Sequence, residues 1–137
     1  MLRLRRILGY LWASPNTLLG LLVLPMALAT GGAVQVVRGV VEIHGGFARW
    51  FLARGLPTAI PIFGPAAALT LGHVVLGQDR ECLDKSRDHE HVHVRQYERW
   101  GPFFLPAYFF ASFLAWRRGQ DPYFDNRFER EAYGTAS

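Results

Sequence analysis

The chain has one cysteine, Cys82, in 137 residues. No internal disulfide is possible, the redox compartment is left open, and a cysteine-rich zinc site is excluded. Any zinc must then be held by histidine and carboxylate. Charge of one sign is also in short supply: 15 basic residues against 11 acidic ones leave a net charge of +4. The basic set is mostly arginine and scattered. That pattern excludes a nucleic-acid surface and suits ion-pair or membrane-edge roles. Internal repeats and low-complexity stretches are absent, and no histidine follows His93. With 50% hydrophobic and 14% aromatic residues, disorder is excluded, and the length suits a single domain with a modest core.

Charge is missing altogether from Ile7 to Val37, behind a basic start at Arg3, Arg5 and Arg6. The richest apolar part, Thr17 to Ala29, is shorter than the ~20 residues that span a bilayer. Ile7 to Trp12 adds length, but Pro15-Asn16 interrupts it. Three readings follow: a cleavable signal with Ala27-Leu28-Ala29 as its small-x-small site, an uncleaved membrane segment, or a buried helical hairpin. Residues 1–30 are thus read as a membrane or signal-like segment, with a cytoplasmic N-terminus if they span. Residues 31–137 are read as one minimal domain.

After Gly31-Gly32 the pattern changes. Val34 to Val37 and Val40 to His44 read as two strands around a tight Arg38-Gly39 turn. Phe47 to Arg54 suits a short amphipathic helix. Pro57, Pro61 and Pro65 predict an extended loop. Ala68 to Leu76 reads as a further strand, in which Gly72 marks a bulge or a close backbone approach. Asp79 can cap a helix that runs to about Trp100 and stops at Gly101-Pro102. Phe103 to Trp116 is a second, very apolar helix bent at Pro106. Asp125 or Asn126 caps a last helix through Tyr133. The expected fold is α+β: an N-terminal apolar helical segment, a small antiparallel sheet, a long helix, an antiparallel aromatic helix and a short C-terminal helix.

The long helix carries His89-Glu90-His91-Val92-His93, an H-E-x-x-H pattern. Residues four apart share a helical face, so His89 and His93 can grip one metal ion. Glu90 lies about 100° round, able to touch a metal-bound water without being a ligand. Gln96 shares the histidine face, while His91 points elsewhere and reads as a solvated or supporting residue. The plain alternative is a set of hydrogen-bonded polar residues. A third ligand has to be a carboxylate, and Glu129 and Glu131 lie about 200° apart on the last helix, so only one can face the metal. If Phe124, Phe128 and Ala132 define the packed face, Glu131 falls about 60° from its centre and Glu129 about 100°. Glu131 is the preferred ligand and Glu129 the alternative. Cys82, about 10 Å from His89 along the helix, is too far to join them. The aromatic helix, about 20 Å long, is short for a ~30 Å hydrocarbon core. If it spanned, the histidines and Glu131 would lie on opposite sides of the bilayer. It is expected to fold back on the histidine helix, to dip into one leaflet, or to be a plain core helix.

His89-Glu90-His91-Val92-His93-Val94-Arg95-Gln96 resembles the H-E-x-x-H-x-x-Q helix of small gluzincin-type metallopeptidases. Glu129-Arg130-Glu131-Ala132 is similar to their downstream E-x-E-A segment. The blocks from His91 to Pro102 and from Asp125 to Tyr133 also resemble those of small bacterial membrane-associated proteins. The resemblance covers the C-terminal third well and the strands only loosely. It implies zinc held by His89, His93 and Glu131, with Glu90 as general base. One departure is Tyr133, where gluzincins commonly place an acid soon after the third ligand. Under that reading Gln96 would support a ligand, and Tyr123, Tyr133 or His73 would supply an oxyanion donor. The strand ahead of the helix would bind a peptide or protein substrate edge-on. With so short a chain, the cleft would be shallow or completed by a protein partner. The expectation is a membrane-associated zinc metallopeptidase, at a bacterial inner membrane, with its side open. The alternatives are a non-catalytic membrane protein with a structural metal or hydrogen-bonded cluster, and a membrane-binding adaptor.

Overall fold

In the computed structural model, which describes residues 2–59 and 65–136, the first hairpin forms where the sequence puts it. β1 (Ala33–Val37) pairs antiparallel with β2 (Val40–His44). Both turn residues have positive φ, 53° at Arg38 and 78° at Gly39, as a type I′ turn requires. The stretch expected as one strand is a second hairpin. β3 (Ala68–Leu71) turns at Gly72-His73 into β4 (Val74–Gly77). Gly72 has φ +62°, and any Cβ there would collide with Thr17. The glycine therefore marks both a chain reversal and a close backbone approach.

The fold is α+β, with a four-stranded sheet in the order β1-β2-β4-β3. The sheet is mixed rather than wholly antiparallel, because β2 and β4 pair in parallel. Parallel neighbours need a crossover, which residues 46–59 supply as helix. α3 (Gly46–Trp50) leads through a π-helical turn (Phe51–Gly55) into α4 (Leu56–Ala59). Pro57 thus sits inside a continuous helical stretch instead of in the expected extended loop, and the Leu52 carbonyl, five residues back, accepts from the Ala66 N–H at 3.1 Å. Pro61 lies outside the described residues.

α1 (Leu2–Leu21) and α2 (Val23–Ala29) form a nearly continuous rod, and residues 3–29 are long and apolar enough to cross a membrane. Pro15 does not break it. Proline cannot donate to the Leu11 carbonyl one turn back, and the Ser14 hydroxyl donates to that oxygen instead, at 2.7 Å. Asn16, also buried, donates to the Gly101 carbonyl at 3.0 Å, fastening the rod to the long helix.

α5 (Arg80–Trp100) starts at Asp79, whose carboxylate accepts from the Cys82 N–H at 2.8 Å. It stops at Gly101, with φ +57°, where the Trp12 ring leaves no room for a side chain. After a 3-10 turn (Gly101–Phe103), α6 (Phe104–Arg117) doubles back along α5. Phe104 meets Tyr97 at 4.3 Å between ring centroids, and Tyr108 meets His93 at 6.3 Å. Pro106 falls in the first turn of α6, so no helical hydrogen bond is lost. α7 (Arg127–Ala136) is capped by Asn126, whose Oδ1 accepts from the Phe128 N–H at 2.8 Å. The amide of Asn126 donates to the Tyr108 carbonyl and the Ser112 hydroxyl, which pins the start of α7 onto α6. Tyr97, Phe104 and Phe128 form the apolar cluster beneath this junction.

Candidate metal centre

α5 presents His89 and His93 one turn apart, and α7 places a single carboxylate oxygen between them. Glu129 Oε1 lies 2.9 Å from His89 Nε2 and 3.0 Å from His93 Nε2. The other oxygen of Glu129 accepts from the Tyr108 hydroxyl at 2.5 Å. Glu90, buried beside them, has Oε2 3.9 Å from His89 Nε2, while its Oε1 accepts from the Thr70 hydroxyl at 2.8 Å. Ligand atoms of His89, Glu90 and His93 lie within 4.8 Å of one another, and this buried group can hold a metal ion. The donor set fits. A tetrahedral ion with bonds of ~2.0–2.1 Å spaces its ligand atoms about 3.3 Å apart, a few tenths beyond the separations around Glu129. His89 Nδ1 is buried without a hydrogen-bond partner among the described residues.

The ring of His93 is held from behind. Its Nδ1 donates to Gln96 Oε1 at 2.8 Å, which leaves Nε2 facing Glu129. Gln96 is itself fixed, donating to the Phe128 carbonyl and to Glu131. The two carboxyls of the site are driven in opposite directions. Burial pushes Glu129 up, but its hydrogen bonds to His89, His93 and Tyr108 outweigh this and hold it at about 2. For Glu90 burial dominates, and its pKa is raised despite the two histidines and Thr70. Burial lowers His93, yet contact with Glu129 and the charge of Glu90 lift it to about 9. A carboxylate that stays ionised near neutral pH beside a carboxyl whose pKa is raised is an acid–base arrangement.

The group floors a cleft of about 610 Å³. One wall is β3 with the residues before it, Pro65 to Thr70. The opposite wall combines Leu105 and Phe109 of α6 with Tyr123, Phe124 and Tyr133. β3 is a sheet-edge strand that lines the cleft through Ala68, Leu69 and Thr70, and its Thr70 carbonyl accepts from the buried Tyr97 hydroxyl at 2.9 Å. The Tyr123 and Tyr133 hydroxyls are 3.0 Å apart, and the Tyr133 ring lies 4.2 Å from that of His89.

The structure brings together His89, His93, Glu90, Gln96, Tyr123 and Tyr133, but not Glu131. The preferred third ligand faces away. Glu131 is 44% exposed, and its carboxylate accepts from Gln96 at 2.8 Å and from Arg99 at 2.7 Å. Its neighbour two residues earlier, Glu129, occupies the position between the imidazoles. His73 is also removed from the cleft. As a turn residue it points to α1, stacked on Tyr10 at 3.7 Å with Nε2 2.9 Å from Glu98. His91 is buried, not solvated, with Nε2 3.5 Å from Glu42 across the sheet. Sequence reasoning missed Tyr108 and Thr70. The signal for Tyr108 was the spacing Phe104, Tyr108, Ser112, which puts a phenol on the inner face of an apolar helix. Thr70 gave no signal beyond a hydroxyl in a leucine-rich strand.

Compared with known proteins, the chain matches no family model, no curated protein and no solved structure.

Proposed function

We propose that this chain is a membrane-associated zinc hydrolase that cleaves peptide bonds. The observation that carries this reading is Glu129 Oε1 lying 2.9 and 3.0 Å from two histidine nitrogens, with a buried, protonatable Glu90 alongside, on the floor of an open cleft. His89, His93 and Glu129 would hold the zinc, which supplies Lewis acidity and lowers the pKa of a water in the cleft. Glu90 takes a proton from the attacking water as its oxygen adds to the carbonyl carbon. It delivers that proton to the amine nitrogen as the C–N bond breaks. Its raised pKa brings it closer to the neutral range, where one group can perform both transfers. Tyr123 and Tyr133, which line the cleft with their hydroxyls 3.0 Å apart, would supply donors to the developing oxyanion. The outer edge of β3 would offer backbone groups to an extended peptide, which would run along the wall of the cleft past Glu90.

One observation favours a second, non-catalytic reading. Glu129 has hydrogen-bond partners on both oxygens, so the cluster can serve as a structural polar core. Zinc content and hydrolysis of a mixed peptide substrate separate the two. The hydrolase reading expects about one zinc per chain. His93→Ala should lose zinc and activity together, and Glu90→Gln should lose activity alone. A wild-type protein that takes up no zinc, or a Glu90→Gln variant as active as wild type, contradicts it.

A further inference from the structure

From Gly9 onward the rod of α1 and α2 is attached to the domain. Near its start the Tyr10 hydroxyl donates to the Gly39 carbonyl, and Gly9 packs on the side chain of Glu98. Trp12 then donates to the Arg99 carbonyl, and Thr17 accepts from the His73 N–H. Farther along, Gly20 abuts Val74, and the Ala27 carbonyl accepts from Gly32. The opposite face is apolar and uncovered. Leu8, Leu11, Leu18, Leu19, Leu22 and Met26 recur at helical spacing and are each 42–64% exposed.

A rod anchored in this way cannot cross a bilayer alone. The Arg38-Gly39 turn, Glu98 and Arg99 lie directly beside it and would be carried to hydrocarbon depth, where charged groups are costly. Lying flat removes the conflict. The uncovered leucine face then enters one leaflet while the anchored face stays at headgroup level. The outer face of α6 extends the same surface, since the Phe103 ring lies 6.0 Å from that of Trp12. From Phe103 the exposed aromatics continue through Phe110, Phe113 and Trp116.

The charges show what covers this surface. No acidic residue occurs in α1, α2 or α6, whereas Arg3, Arg5 and Arg6 open the first and Arg117 and Arg118 close the last. A cleft of about 840 Å³ beside Leu8 and Trp12 is lined by Arg5, Arg6, Arg95 and Arg99. The two acids at its wall are engaged, Glu98 with His73 and Glu131 with Arg99. Arg5, Arg6 and Arg95 form no ion pair among the described residues. A second copy of the chain would set arginines against arginines. An anionic leaflet supplies both the apolar phase and the phosphates.

We propose that α1, α2 and the outer face of α6 form one monotopic surface that lies in the plane of an anionic leaflet, with lipid phosphates held in the arginine cleft. This stands independently of the metal reading, and zinc content reports on that reading separately.

The test uses the full chain added to preformed vesicles of phosphatidylcholine, with or without about 30% phosphatidylglycerol. Sedimentation should show at least roughly tenfold tighter binding to the anionic vesicles, weakened by salt. Arg5→Glu/Arg6→Glu/Arg95→Glu should abolish the preference while leaving circular dichroism and zinc content unchanged. On a Cys82→Ser background, Arg3→Cys and Ala33→Cys mark the two ends of the rod. Both should react with a membrane-impermeant thiol reagent outside intact vesicles. One end protected until the vesicles are opened would establish a crossing helix and overturn the proposal. So would equal binding to neutral vesicles, competition by inorganic phosphate alone as effective as that by anionic vesicles, or self-association in place of vesicle binding.

Discussion

His93 Nδ1 donates to Gln96 Oε1 at 2.8 Å, and the same amide donates to Glu131 at 2.8 Å. One histidine is therefore served by both carboxylates of α7. Glu129 touches its Nε2 directly, and Glu131 acts through Gln96. The two glutamates should behave differently on substitution. Glu129→Gln should weaken zinc binding by well over roughly tenfold, because it removes a charged ligand. Glu131→Gln keeps an oxygen for Gln96 and should cost no more than about tenfold. Competition titration against a chromophoric chelator measures both, and equal losses would refute the assignment.

The Tyr108 hydroxyl donates to Oε2 of Glu129, the oxygen other than the one between the two histidines. In Tyr108→Phe the second carboxylate oxygen loses its 2.5 Å partner in a buried site. Zinc affinity should fall about 10-fold, the lower end for loss of a group that orients a ligand. The fold should persist, since phenylalanine keeps the ring beside Phe104 and Phe128.

Acid and base should both destabilise the metal-free protein through the same pair. Glu129 is depressed from 4.5 to about 2, so its contribution is complete above 4.5 and disappears as the pH falls towards 2. His93 is raised from 6.5 to about 9, so its contribution is complete below 6.5 and is lost as the pH rises through 9. Zinc needs the Nε2 lone pair, so binding near neutrality must expel the His93 proton. Calorimetry at about pH 7.5 in buffers of different ionisation enthalpy should show release of roughly one proton per zinc. Buffer-independent heats would contradict the pairing.

Asn126 has no exposed surface and joins two helices, capping α7 and donating twice to α6. Asn126→Ala loses the cap and leaves the Tyr108 carbonyl and Ser112 hydroxyl short of a donor. Denaturant unfolding should show a loss of about 2–4 kcal/mol, combining a helix cap with unmade buried hydrogen bonds. A change below about 0.5 kcal/mol, the range of ordinary surface substitutions, would show that the junction is not what holds α7 in place.

Local signals were legible where local chemistry decides. The Arg38-Gly39 turn, the Asp79 cap, the stop at Gly101 and the Asn126 cap each depend on a few neighbouring residues. Pro15 misled because its repair, the Ser14 hydroxyl on the Leu11 carbonyl, needs the helix to exist first. The choice between Glu129 and Glu131 turned on Phe124, which was counted as part of the packed face of the last helix. It lies before the helix starts, at 60% exposure. With Phe128 and Ala132 alone, the two glutamates are each about 80° from the face centre, and the wheel does not choose. What chooses is tertiary: α6 puts Tyr108 on one side of α7, and α5 puts Gln96 and Arg99 on the other. The folding back of α6 was legible from its length and from the need to unite the histidines with a downstream carboxylate.

The most direct test is anomalous diffraction at the zinc edge from crystals of the zinc-loaded protein. The expected result is one peak about 2.0–2.2 Å from His89 Nε2, His93 Nε2 and a carboxylate oxygen of Glu129. Glu131 should remain on Gln96 and Arg99. No peak at this position, or a peak ligated by Glu131 in place of Glu129, would contradict the metal centre on which the proposed function rests.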